Sequence, residues 1–142
     1  MSSVFDDIMC LSNEEKIAYM KAFTRLARAD GVFDDVEKEF IKDMAKNYFL
    51  SENDIQQILS ADDRDIISAV KNIKNRRVAL ELIKDLCFLG YSDKELSDNE
   101  LLLIGQIGEA MGITPEKIEE ISDWVVEKII LTEKAKIIFE EI

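Results

Sequence analysis

Displaced by 63 positions, the 142-residue sequence aligns with itself without a gap, residues 19–58 falling on residues 82–121. Eight positions are identical: Lys21/Lys84, Leu26/Leu89, Asp30/Asp93, Asp35/Asp98, Glu37/Glu100, Ile41/Ile104, Ile55/Ile118 and Ile58/Ile121. Apolar residues answer one another at further slots, as at Met20/Ile83, Phe23/Leu86, Phe40/Leu103, Met44/Ile107 and Leu50/Ile113, and the hydroxyl residues Ser51 and Thr114 coincide. A duplication of this length predicts two similar units, with copies at about 13–60 and 76–130. Each unit alone would leave an apolar face open. The two are therefore expected to pack about a pseudo-two-fold and share one core as a single domain spanning residues 1–142. No linker separates them, only a spacer helix around 62–75.

The periodicity inside each copy is helical throughout, and strand alternation is absent. Ser12 with Glu15 has capping-box spacing and opens a helix over about 13–29 that buries Ile17, Met20, Phe23 and Ala27. A second helix from about Asp35 is expected to bury Phe40, Ile41, Met44, Ala45 and Tyr48, and Ser51 with Asp54 opens a shorter one carrying Ile55 and Ile58. Ile66, Ile67, Val70 and Ile73 mark the spacer helix, and the basic run at 74–77 decorates a solvated face or turn. From Val78 to Leu89 the chain is apolar around nearly the whole circumference, which predicts a central helix ended by Gly90. Ser97 with Glu100 is another capping box, ahead of a face of Leu103, Ile104, Ile107, Gly108 and Met111 closed by Gly112. Gly105 and Gly108 are expected to admit a neighbouring helix. Thr114-Pro115-Glu116 sets an N-cap, a first-turn proline and an acid in sequence before the stripe Ile118, Ile121, Val125 and Ile129, with Trp124 at its edge as core or rim. A last helix over about 132–141 is expected to bury Ala135, Ile138 and Phe139, with Ile142 a further candidate. The fold class predicted is an all-α bundle of about seven helices.

The chain contains no histidine, which removes the usual imidazole base, the Ser/Cys–His nucleophile pairs and every His-containing zinc site. Thirty acids against eighteen bases give a net charge of −12, which repels phosphate backbones, so no nucleic-acid partner is expected. Cys10 and Cys87 sit among apolar neighbours and match neither a disulfide framework nor a metal knuckle; a buried, reduced pair is expected. No basic-then-apolar leader and no run of eighteen apolar residues occurs, so a soluble cytoplasmic protein without direct membrane insertion is expected.

Between the first two helices of each copy the sequence reads ARADGVFDDVE (27–37) and LGYSDKELSDNE (89–100). This spaced acidic loop, occurring twice and followed each time by an amphipathic helix, resembles the TerB family, the all-helical module of tellurite-resistance operons that is akin to the N-terminal domain of DjlA-type co-chaperones. The likeness spans roughly residues 13–130. The first copy has the Asp30-Gly31 pair that the family favours, whereas the second has Asp93-Lys94; glycine tolerates positive φ and lysine does not, so a shared backbone geometry does not follow.

The resemblance implies a non-enzymatic role in stress or metal resistance, with acidic clusters holding a divalent cation. Carboxylates of Asp30, Glu37, Asp93 and Glu100, with Asp35 and Asp98 as secondary candidates, would converge if the two loops meet across the pseudo-axis. Such a set of hard oxygens suits Ca²⁺, Mg²⁺ or Mn²⁺, although the spacing is not that of an EF-hand. The same acids also have structural work: Asp34 and Ser97 as N-caps, Asp35 and Asp98 at N1, Glu37 and Glu100 completing capping boxes, Asp30 and Asp93 bracing the loop. The function expected is a binding or adaptor module with an as yet unidentified protein partner and no required cofactor. Its alternatives are a scaffold without an ion, which would expose an apolar patch near Trp124 or the C-terminal helix, and a hydrolase using a metal-activated water.

Overall fold

The computed structural model describes residues 11–27, 35–93 and 97–140, without the side chains of Ala27, Glu37, Ser92 and Asp93. Among the described residues there are seven α-helices and no strand: α1 (Asn13–Ala27), α2 (Asp35–Asn47), α3 (Glu52–Ser60), α4 (Asp63–Val70), α5 (Arg76–Asp93), α6 (Asp98–Ala110) and α7 (Pro115–Glu140).

The helix starts follow the local chemistry of the sequence. Glu15 N–H donates to Ser12 Oγ at 3.2 Å while Ser12 N–H donates to the Glu15 carboxylate at 3.1 Å. Reciprocal boxes of the same kind open α3 at Ser51/Asp54 and α4 at Asp62/Asp65. Ser97 caps α6, and Thr114 Oγ1 accepts from Lys117 N–H at 3.2 Å at the head of α7. Each such bond satisfies an amide that the helix itself leaves without a partner.

Two turns, 63 positions apart, are built alike. After α2, Leu50 N–H reaches back to Ala45 O at 3.1 Å over Phe49, whose φ is 61°; after α6, Ile113 N–H reaches Gly108 O at 2.8 Å over Gly112, whose φ is 77°. Both are six-to-one helix endings, which need a left-handed residue at the turn.

α1 is the hub: α2, α3, α4 and α5 all pack on it, and α5 in turn carries α6 and α7. Ala18, Tyr19, Ala22 and Leu26 of α1 join Ile66, Val70, Leu82, Ile83, Leu86, Ile104, Ile107 and Val125 in the larger cluster. On the other side of α1, Ile17 and Met20 meet Ile41, Ala45, Ile55 and Ile58 of α2 and α3 in a smaller one.

The basic run 74–77 is exposed as expected, on the turn and at the start of α5: Asn75 Oδ1 accepts from Val78 N–H at 3.1 Å, and Arg76 Nη1 donates to Gly112 O at 3.2 Å. Several expectations are corrected. Gly90 does not end α5 but lies buried within it, since a propensity loss of about 1 kcal/mol is small beside packing. α4 stops at Val70, and Ile73 is buried from the turn that follows. Gly108 does admit α7, a β-carbon there falling 2.4 Å from Ile118 Cδ1, whereas nothing lies within 4 Å of one at Gly105. Phe40 is 57% exposed although its repeat counterpart Leu103 is 3% exposed. The difference follows from the neighbours: α6 is packed on by α4, α5 and α7, while α2 lies mainly on α1.

The largest departure is at the C-terminal end. No break separates a helix near 129 from one at 132; α7 runs unbroken for 26 residues, with no Gly or Pro after Pro115 to stop it. Its distal turns leave the body, so Ile138 and Phe139, expected in the core, are 61% and 82% exposed, and Ala135 is only half-buried. Ile142 lies outside the described residues. Cys87 is buried as expected, and Cys10 lies outside the described residues.

Candidate functional site

The six candidate acids can be placed only in part. Asp30 and the segments 28–34 and 94–96, on whose meeting the cation reading depends, lie outside the described residues, as does the proposed cap Asp34. Glu37 stands in the first turn of α2 and Asp93 ends α5; their side chains are likewise not described. Asp35 and Asp98 are the exposed first residues of α2 and α6, where a negative charge suits the amide-rich helix end. Glu100, half-buried, donates its N–H to Ser97 Oγ at 3.2 Å, and its carboxylate accepts the Ser97 hydroxyl at 3.0 Å. Among the described residues no group of three or more Cys, Asp or Glu side chains is arranged to hold a metal ion.

The side chains whose acidity is most disturbed lie in the interior between α1 and α5. The Tyr19 hydroxyl donates to Asp85, and burial, reinforced by that carboxylate, pushes its pKa far above the ordinary tyrosine range. Burial also raises Asp85, against the lowering effect of the Tyr19 bond, and raises Tyr48. The Cys87 thiol is pushed up to about 11 by burial alone, which makes it inert at neutral pH. The Tyr19–Asp85 bond fastens the two central helices to each other.

A cleft of about 350 Å³ does open between α5 and α7. Leu80, Ile121 and Trp124 form its apolar lining; Arg77, Glu81, Lys84, Lys117 and Glu120 supply the charges. Glu81 pairs with both Arg77, at 3.2 Å, and Lys84, and Glu120 pairs with Lys117 at 3.4 Å. Neither carboxylate is left as a free base, and of the candidate acids whose side chains are described, none of Asp35, Asp98 and Glu100 lines the cleft. Trp124, 49% exposed, is a rim residue: it meets Phe88 edge-to-face at 6.1 Å, and Lys128 stands 5.3 Å over its ring.

Beyond Trp124, α7 exposes large apolar side chains between its charged ones. Ile130 is 50% exposed, Leu131 68% and Ile137 78%, in addition to Ile138 and Phe139. A single exposed leucine is ordinary, but five large apolar side chains within ten residues of one helix form a patch of the kind that marks a contact surface. Of these, Ile138 and Phe139 read from the sequence as core because the same helical period marks a face buried in the chain's own body and one buried by something else; Ile130, Leu131 and Ile137 carry no such reading. The unbroken run without a helix stop after Ile129 was the signal available.

No protein-family model and no curated protein matches the chain. Among solved structures the fold resembles a tellurite resistance protein from Nostoc punctiforme, with a TM-score of 0.55 over 92% of this chain and 83% of that one, at 18% sequence identity. The all-α bundle thus shares the fold of that tellurite resistance protein.

Proposed function

We propose that this chain is a non-enzymatic, cytoplasmic adaptor of the tellurite-resistance type, working through protein contact on the projecting half of α7 and needing no divalent cation. The observation that carries this reading is the exposed apolar surface of Ile130, Leu131, Ile137, Ile138 and Phe139. Further support comes from the charged lining of the α5/α7 cleft, where cations already occupy the acids that a hydrolytic mechanism would need free.

The test is growth on tellurite of a host expressing the full chain. Ile137→Asp with Phe139→Asp, at positions where the fold has little to lose, is expected to abolish the added tolerance while circular dichroism stays unchanged. Asp35→Asn, Asp98→Asn and Glu100→Gln together are expected to leave tolerance intact. The reverse pattern, or no effect of the wild-type chain on tolerance, would overturn the reading. So would a rise in melting temperature with Ca²⁺, Mg²⁺ or Mn²⁺ over EDTA.

A further inference from the structure

At 3.6 residues per turn, Ile118, Ile121, Val125 and Ile129 form the stripe by which α7 lies on the body, Val125 being fully buried. On the opposite side fall Trp124, Glu127, Leu131, Lys134 and Ile138, in steps of three and four, with Ile130 and Ile137 beside them. All seven are exposed. Steps of this kind are those of a helix-pairing seam, in which side chains of one helix enter the gaps of another.

The seam is complementary to itself when reversed. In an antiparallel pairing centred on Leu131, Trp124 of one copy falls beside Ile138 of the other, Glu127 beside Lys134, and Leu131 beside its own counterpart. Apolar meets apolar throughout, and the one acid meets the one base, twice. Neither Glu127 nor Lys134 has an ion-pair partner within its own chain among the described residues, and their separation of seven residues keeps them from pairing with each other.

Charge favours the same partner. The chain carries −12 overall, so two copies repel over most of their surface. Residues 126–140 are the exception: Glu127, Glu133 and Glu140 are balanced by Lys128, Lys134 and Lys136. Area is adequate as well. Trp124, Ile130, Leu131, Ile137 and Ile138 at their observed exposures offer roughly 600 Å² per copy, approaching the ~800 Å² per partner of a standard interface before the stems of Glu127 and Lys134 are added.

We propose that two copies of this chain associate through antiparallel pairing of the outward face of α7, over Trp124 to Ile138, forming a closed two-fold dimer. The pairing is isologous, each seam residue contacting its counterpart's opposite, so it closes without leaving an unpaired edge. It extends the adaptor reading above by naming the occupant of that surface, and rests on it only for where the surface lies.

Sedimentation equilibrium of the full chain from micromolar to millimolar concentration tests the proposal. The wild type is expected to show a monomer–dimer equilibrium. Glu127→Lys and Lys134→Glu, each placing like charges together at two symmetry-related points, are each expected to weaken association by about tenfold or more. The double variant E127K/K134E is expected to recover it, since the swapped charges again meet across the seam. A wild type that is monomeric throughout, single variants that associate as well as wild type, or a double variant that stays weak would each overturn the pairing. So would a chain that stays monomeric and instead co-sediments with anionic phosphatidylglycerol vesicles. A monomer whose tellurite phenotype still depends on Ile137 and Phe139 would leave the adaptor reading standing and remove only the dimer.

Discussion

Phe49 closes α2 with a φ of 61°, in the left-handed region where a bulky side chain is strained, and its ring is 78% exposed. Replacing it separates two effects. Phe49→Ala keeps the β-carbon and hence the strain, and loses only the minor burial of the ring, an expected loss of about 0.5 kcal/mol. Phe49→Gly loses the same burial but relieves a left-handed cost of roughly 1–2 kcal/mol, from which the extra chain entropy of glycine takes back about 0.5–1 kcal/mol. The glycine variant is thus expected to exceed the alanine variant by about 0.75 kcal/mol, or about 3 °C in melting temperature for a chain of this size. Gly112 supplies the mirror experiment: with no atom within 4 Å of an added β-carbon, Gly112→Ala should lose about 1 kcal/mol from the backbone alone. Urea unfolding with coincident circular dichroism and fluorescence reads all three. Equal stability of the Phe49 variants, or a glycine variant below the alanine one, would refute the reasoning.

Among repeat counterparts, Leu103→Ala is expected to cost about 2–5 kcal/mol and Phe40→Ala only about 1 kcal/mol, because one side chain is enclosed and the other more than half exposed; chemical denaturation checks the contrast. Burial raises the folded-state pKa of Asp85, so its contribution to stability is present below the unfolded carboxyl pKa and is lost as pH rises through the folded value. Asp85→Asn, which retains an acceptor for Tyr19, is therefore expected to stabilise the chain at pH 7 and to make no difference at pH 3, as thermal melts at the two values would show. For Cys87, whose thiol is raised from 9.0 to about 11, stability should fall as pH climbs through that interval. Its alkylation at pH 8 in a Cys10→Ser background should proceed only as fast as the chain opens; rapid modification of the native protein would contradict the burial.

What was legible in the sequence was what one or two turns decide. Ser12/Glu15, Ser51/Asp54 and Thr114-Pro115 start helices because a hydroxyl and an amide three residues on satisfy each other wherever they occur. Ile41, Ile55, Ile58, Leu82, Leu86, Ile104 and Ile107 are core because their stripes leave no other dry place for them. What local pattern does not contain is how many neighbours a helix has. Phe40 and Leu103 hold equivalent places in near-equivalent helices, yet only α6 is crowded enough to enclose its residue. Gly90 reads as a stop by propensity and is overruled by burial. The distal half of α7 has a helical apolar period with no body beside it to receive it. The acidic candidates illustrate the same limit: Asp98 and Glu100 could be placed at a helix start from their spacing with Ser97, but no spacing states which side chains meet across separate loops.

Hydrogen–deuterium exchange of the amides in residues 130–140, followed against protein concentration, tests most directly whether the projecting end of α7 is covered by a second copy. Protection there should rise with concentration while the amides of α5, already deep in the bundle, stay unchanged. Exchange in 130–140 that is fast and identical at every concentration would contradict the pairing.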